Sequence, residues 1–305
     1  MSEAAQTGQT GQTGQTGQIG QTGQIGQPTG AARPAAGNGP AAAGRPGHSG
    51  RDGGPRVCVA FTFYRVRPEA FRLPPAERER LAAEFEAVVD AAAEELGLLR
   101  TYSLVGLRGD ADVLLWQAAE QPESLQRFAS QLRTTGLFPY LETSYQYLAM
   151  TRRSIYVDKH VHEGQEGRRT RLQPSGGRYL FVYPFVKTRA WYALPMAERQ
   201  RMMDEHMAVG HRYPGVKINT TYSFGLDDQE FVVAFEAESP AEFLDLVMEL
   251  RGSGASQYTL RDTPAFTCVA QPLRRALALA LGIETEAPAE APLPEIEPAL
   301  TTAAR

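Results

Sequence analysis

The sequence predicts an α+β barrel built from two tandem ferredoxin-like βαββαβ units, and three observations lead there. Segments of strand and helix period follow one another as βαββαβ from about Arg56 and again from Arg178. The letters repeat as well: PAERERLAAEF from Pro75 matches MAERQRMMDEH from Met196, and TYSLVGLRGDADVLLWQAAEQPESL from Thr101 matches TYSFGLDDQEFVVAFEAESPAEF from Thr221. Finally, a lone four-stranded sheet with helices on one face leaves its other face bare. Two such sheets packed face to face cover each other within one chain.

Residues 1–55 open as a GQT/GQI repeat and continue in Gly, Ala and Pro, with too little apolar surface to offset the entropy of ordering, so a disordered tail is expected. The first unit spans 56–150. VCVAFTFYRV alternates as a strand with Phe61 and Phe63 on one face, and Pro74 and Pro75 open a helix, where a missing N–H costs nothing. A hairpin turning between Gly106 and Asp110, a helix around SLQRFASQLR and a strand around LETSYQYLAM complete it. Residues 151–177 are charged and lack periodicity, which reads as a connecting loop. The second unit, 178–283, runs through the strand RYLFVYPFVKT, the helix PMAERQRMMDEHMAVGHRY, a strand pair, the helix AEFLDLVMELR and the strand PAFTCVA, with a short helix PLRRALALALG behind it. The Pro/Glu/Ala stretch 284–305 is expected to be a disordered tail.

Composition narrows the function. A net charge of -4 over 305 residues offers no basic field for nucleic acid. No apolar run approaches the roughly 20 residues that span a bilayer, and no secretory signal is visible. Cys58 and Cys268 each fall within a strand and read as small core residues, which suits a reducing cytoplasm.

The two copies provide an internal comparison in which chemical divergence points to function. Aligned helices set His206 opposite Phe85, and aligned first strands set Tyr183 opposite Phe61 and Lys187 opposite Arg65. Met202, Met203, His206, Val209 and Tyr213 recur at helical spacing, so His206 faces inward while His211 falls off the stripe. Such a histidine is either a core residue satisfied by a carbonyl or a metal ligand. Zinc needs further ligands that are not nearby, whereas haem iron needs one axial imidazole in an apolar pocket. Tyr179, Phe181, Tyr183, Phe185 and Lys187 share a strand face by alternation. That row is either plain core with a lysine reaching solvent at its end, or a pocket wall offering a redox-active phenol and a proton donor.

With these residues in view, the second copy resembles the chlorite dismutase superfamily, and within it the coproheme decarboxylases, the HemQ-type peroxide-dependent haem synthases. The resemblance rests on Y-P-F-V-K at Tyr183 to Lys187, W-Y at Trp191 and Tyr192, the helix ending in His206, and S-F-G-L-D-D at Ser223 to Asp228. It covers roughly Arg56 to Gln271 and implies a dimeric-α/β-barrel-type fold assembled as a homopentamer. It makes His206 the proximal iron ligand, Tyr183 the radical-forming tyrosine of a Tyr-Pro-Met-x-Lys motif and Lys187 that motif's lysine, with Phe185 replacing the methionine. Arg171, with Arg169 as the alternative, and Ser256 match propionate-holding groups, and Trp191 and Ile218 match positions against the haem. Chlorite dismutases carry an arginine where Ile218 stands, and an apolar side chain cannot offer that charge-assisted hydrogen bond.

The chemistry so implied is peroxide-dependent decarboxylation of iron-coproporphyrin III, which is both substrate and redox cofactor. Hydrogen peroxide oxidises the iron, the oxidising equivalent passes to Tyr183, and the phenoxyl radical takes hydrogen from a propionate β-carbon. Carbon dioxide leaves and a vinyl group remains; a second round yields haem b. The resemblance also implies delivery of coproheme by a coproporphyrin ferrochelatase. Its alternatives are a chlorite dismutase and a non-enzymatic haem carrier.

Overall fold

The computed structural model describes residues 56–156, 172 and 174–283. The two expected tails, most of the expected connecting loop, and with it Arg169 and Arg171, lie outside the described residues.

Among the described residues, nine strands and six helices follow in the order read from the sequence, with one addition. The first unit comprises β1 (Cys58–Val66), α1 (Pro75–Ala93), β2 (Leu98–Ser103), β3 (Val113–Ala119), α2 (Pro122–Leu132) and β4 (Leu141–Met150). The second comprises β5 (Tyr179–Lys187), α3 (Arg189–Ala193), α4 (Met196–Gly210), β6 (Lys217–Tyr222), β7 (Phe231–Ala237), α5 (Pro240–Arg251), β8 (Thr259–Arg261), β9 (Phe266–Ala270) and α6 (Leu273–Leu281). The addition is α3, a single turn around Trp191 too short to show a period. In the second unit the last strand is broken into β8 and β9 where the first unit has the continuous β4.

The units do not remain two stacked sheets. Each has the ferredoxin-like strand order, and their edges join to give β7-β6-β4-β1-β3-β2-β9-β5, which returns to β7 and closes an antiparallel barrel. Closure removes the exposed edges that separate sheets would present. The seams are short: Met150 pairs with Tyr222 at one, Tyr102 with Ala270 and Ser103 with Val269 at the other. The S-F-G-L-D-D stretch reinforces the first seam. Asp227 accepts the Leu148 N–H at 2.7 Å, and the Ser223 hydroxyl donates to the Leu148 carbonyl at 2.8 Å. Gly225, with a φ of 71°, forms the left-handed corner that this tight hairpin needs.

Three main cores result. Phe61, Phe63, Trp116, Val182, Ala234 and Cys268 fill the barrel. Phe85 of α1 and Leu277 of α6 pack on the outer face of the first unit's sheet. In the second unit the outer face of β5 and β7, with Phe181, Val233 and Phe235, packs against Val209 of α4 and Leu246 of α5. Both cysteines are buried and unbridged. Among the described residues no helix is long and apolar enough to cross a membrane.

The strand registers correct the alignment of the repeats. Cys58 pairs with Ala119 and Tyr179 with Ala237, so Tyr183 is equivalent to Thr62 and Lys187 to Val66, not to Phe61 and Arg65. In the same way Thr101 pairs with Leu115 and Thr220 with Val233, which sets Thr101 opposite Thr220 although the letters match at Thr221. Each shift is one residue, and one residue turns a side chain to the other face of a sheet. Phe61 points into the barrel, whereas Tyr183 points outward beneath α4 and α5. The helices align as read, since α1 starts at Pro75 and α4 at Met196.

Candidate haem site

The second unit's outer core holds the divergent residues. Helical spacing puts His206 on the face of α4 that carries buried Met202 and Val209, and His211 is exposed, as the stripe required. His206 is half-buried, and among the described residues no hydrogen bond reaches its ring; the carbonyl-satisfied core histidine is therefore not what the structure contains. Burial, then the Lys187 charge, lowers its pKa to about 4, against the opposing pull of Glu205, so the imidazole is neutral at physiological pH.

Lys187 ends β5 with its side chain turned inward. Its Nζ donates to the Ala255 carbonyl at 2.6 Å and lies 4.6 Å from the centre of the Trp191 ring. Burial lowers its pKa to about 8, and the nearby Glu230 carboxylate resists that shift. Trp191, 3% exposed, packs with Met202 and Ala255 into a small cluster of its own. Ser256 follows Ala255 at the start of a 3-10 turn, half-buried, beside the carbonyl that receives Lys187.

Tyr183 stands on the same strand face, its ring 5.9 Å from that of Phe235. Burial pushes its phenol well above the ordinary range, and Asp262 adds to the effect, so it keeps its proton. Four residues of strand separate Tyr183 from Lys187 by about 13 Å, at ~3.3 Å per residue. They do not touch as a pair: Phe185 stands between them on the same face, its ring 5.3 Å from the Lys187 Nζ. Ile218 pairs with Phe235 across β6 and β7 on the same face and is 54% exposed.

The structure thus brings His206, Lys187, Trp191 and Ser256 to one end of this face and sets Tyr183 and Ile218 further along it. Sequence reasoning missed the Ala255 carbonyl, which leaves no signal in a side-chain pattern. It also missed Glu230, whose Oε2 accepts the Lys187 backbone N–H at 2.8 Å and the Tyr192 hydroxyl at 2.5 Å. The repeat contained that signal, because Asp112 holds the Val66 N–H at 2.7 Å in the equivalent place.

These residues fit an iron porphyrin. A neutral imidazole without a protein partner can ligate iron, and the walls are aromatic and aliphatic. Among the described residues no three His, Cys, Asp or Glu groups stand together, so a metal at His206 would take its other ligands from a bound molecule.

Comparison with known proteins agrees. The chain is 36% identical over 167 residues to the coproheme decarboxylase of Mycolicibacterium smegmatis, covering 54% of this chain and 70% of the relative. It is 31% identical over 205 residues to the coproheme decarboxylase of Staphylococcus carnosus, covering 62% and 81%. Among solved structures, a chlorite dismutase from Candidatus Nitrospira defluvii in complex with imidazole superposes with a TM-score of 0.66 at 26% identity, covering 74% of this chain and 95% of that one. A structure described as a novel heme-binding protein from Thermus thermophilus matches with the same TM-score and coverage at 25% identity. The model of the chlorite dismutase family matches residues 78–271, a span that takes in α1 from Arg78 onward, the His206 helix and the strands between and after them: this chain belongs to the chlorite dismutase family.

Proposed function

We propose that this chain is a coproheme decarboxylase, which converts two propionates of iron-coproporphyrin III to vinyl groups and gives haem b. The observation that carries the proposal is the neutral His206 on a face bounded by a protonated phenol at Tyr183 and an inward-turned ammonium at Lys187. The two coproheme decarboxylases related to this chain at 31–36% identity support the same reading.

Coproheme is the substrate, and its iron together with hydrogen peroxide supplies the oxidising power. His206 offers a ring nitrogen to the iron without first losing a proton. Tyr183, oxidised to a phenoxyl, takes one hydrogen atom from a propionate β-carbon and is restored as the phenol. The propionate then loses a further electron and its carboxyl carbon as carbon dioxide, and the carbon–carbon double bond of the vinyl group forms. Two electrons per propionate reduce one peroxide to water. Lys187, about 13 Å along the strand from Tyr183, holds a carboxylate or supplies a proton at the other end of the ligand. Ser256, Arg171 and Trp191 complete the carboxylate and ring contacts, and Ile218 provides an apolar contact. The apolar walls restrict water and strengthen each polar contact. The working protein is a cytoplasmic homopentamer that receives coproheme from a coproporphyrin ferrochelatase.

The test is a peroxide titration of the full chain loaded with iron-coproporphyrin III, followed by mass spectrometry. Stepwise loss of two carboxyl groups is expected; binding without any mass loss overturns the proposal and leaves a carrier.

A further inference from the structure

Glu230 is a buried carboxylate to which the chemistry above assigns no task and whose repeat counterpart, Asp112, accounts for only one of its bonds. It lies immediately before β7, its side chain 11% exposed. Its own N–H bonds to the Phe185 carbonyl at 3.2 Å, and its carbonyl accepts the Ser223 N–H at 2.8 Å. Its Oε2 takes two donors from different elements: the backbone of Lys187, the last residue of β5, and the hydroxyl of Tyr192 in α3. Arg189, almost fully exposed, approaches to 3.8 Å. In the first unit Asp112 makes the equivalent backbone bond to Val66. That bond belongs to the fold. The longer side chain and the tyrosine are what the second unit adds, and they occur where the strand ends in Lys187 and the helix carries Trp191.

We infer that Glu230 is a positioning residue that ties α3 to the end of β5, so that Trp191 and Lys187 are presented to the site as one rigid face. A carboxylate accepting a phenol and a backbone amide forms strong charge-assisted bonds. Burial raises the Tyr192 phenol's pKa and the 2.5 Å contact with Glu230 adds to the rise, so the proton stays in place as the donor. The consequence is geometric. With Tyr192 held, the Trp191 ring lies 4.6 Å from Nζ, and Nζ reaches the Ala255 carbonyl. Ring contacts of Trp191 with Tyr156 and Tyr258 and of Tyr192 with Phe224 also hold this one-turn helix, but Glu230 supplies the charge-assisted bond that fixes its rotation against β5, and without it the ammonium's platform shifts. This deepens the proposed function by naming what sets the site's geometry.

The test uses Glu230→Asp, which imitates the first unit by keeping the backbone bond and withdrawing from Tyr192, together with Tyr192→Phe and the double variant. Two readouts separate the inference from the proposed function. In the full chain without coproheme, acrylamide quenching of tryptophan emission reports Trp191, since Trp116 is wholly buried in the barrel. Both single variants should raise the quenching constant equally, and the double variant should add nothing. In coproheme turnover, kcat should fall roughly tenfold, within the 10²-fold that a 1 Å misplacement can cost, and KM for coproheme should rise as the grip of Lys187 on a carboxylate loosens. Unchanged quenching, or additive effects of the two single changes, overturns the inference. A wild type without turnover, with quenching shifted as expected, defeats the coproheme proposal alone.

Discussion

His206 occupies in the second unit the helix position that Phe85 fills in the first. Phe85 is 1% exposed and meets the edge of the Tyr64 ring at 6.2 Å; Tyr64 is the register equivalent of Phe185. The same helix on the same sheet is thus packed shut in one unit and carries a half-buried imidazole in the other. His206→Phe should restore the first unit's packing. The ligand-free protein is expected to gain about 1–2 kcal/mol from the buried ring, read in denaturant unfolding, while axial ligation is lost from the absorption spectrum of the loaded protein.

The depressed pKa of His206 sets an acid limit on the ligand-free fold. The folded group titrates at about 4 and an ordinary histidine at 6.5, so between those values the unfolded chain binds more protons. Stability therefore falls as pH drops from 6.5 towards 4, and it is insensitive to this group above 6.5. His206→Phe should flatten that part of the stability–pH curve measured by thermal unfolding.

Lys187 should impose the opposite, alkaline limb on ligand handling. Its ammonium is present below about 8 and lost above it, so binding of iron-coproporphyrin through a carboxylate should weaken as pH rises through that value. Glu230, Arg189 and Tyr192 are the charged or titratable groups around its strand end, and His206 is already neutral in this range. Lys187→Arg should carry binding past pH 9 without decline, and Lys187→Met should make it weak and pH-independent; spectrophotometric titration distinguishes them.

Tyr183→Phe separates packing from chemistry. The ring's 5.9 Å contact with Phe235 survives the change, so stability should stay within about 0.5 kcal/mol. Iron-coproporphyrin should still bind, yet mass spectrometry after peroxide should find both carboxyl groups retained.

Asp227 tests the seam. Replacing it with Ala strips the Leu148 N–H of its acceptor and removes one of the Gln229 amide's, which should cost about 1–3 kcal/mol. The midpoint of thermal unfolding should drop while the affinity of the folded protein for iron-coproporphyrin is kept, because the bond joins barrel strands and does not reach His206.

Helical period determined much of this protein from the letters alone. A 3.6-residue repeat is local, so the stripe through Met202, His206 and Val209 was legible within one segment, as were the doubled βαββαβ order and the divergence of His206 from Phe85. What the tertiary structure decided was register and partnership. Strand pairing is fixed by hydrogen bonds between segments far apart in sequence: matching letters at Thr101 and Thr221 mislead by one residue, and a one-residue error in the first strands reverses the face on which Tyr183's counterpart lies. The fate of Lys187 shows the same limit. Alternation along a strand tells which way an ammonium points, but only the fold brings the Ala255 carbonyl and the Trp191 ring to meet it and sets Glu230 behind its backbone.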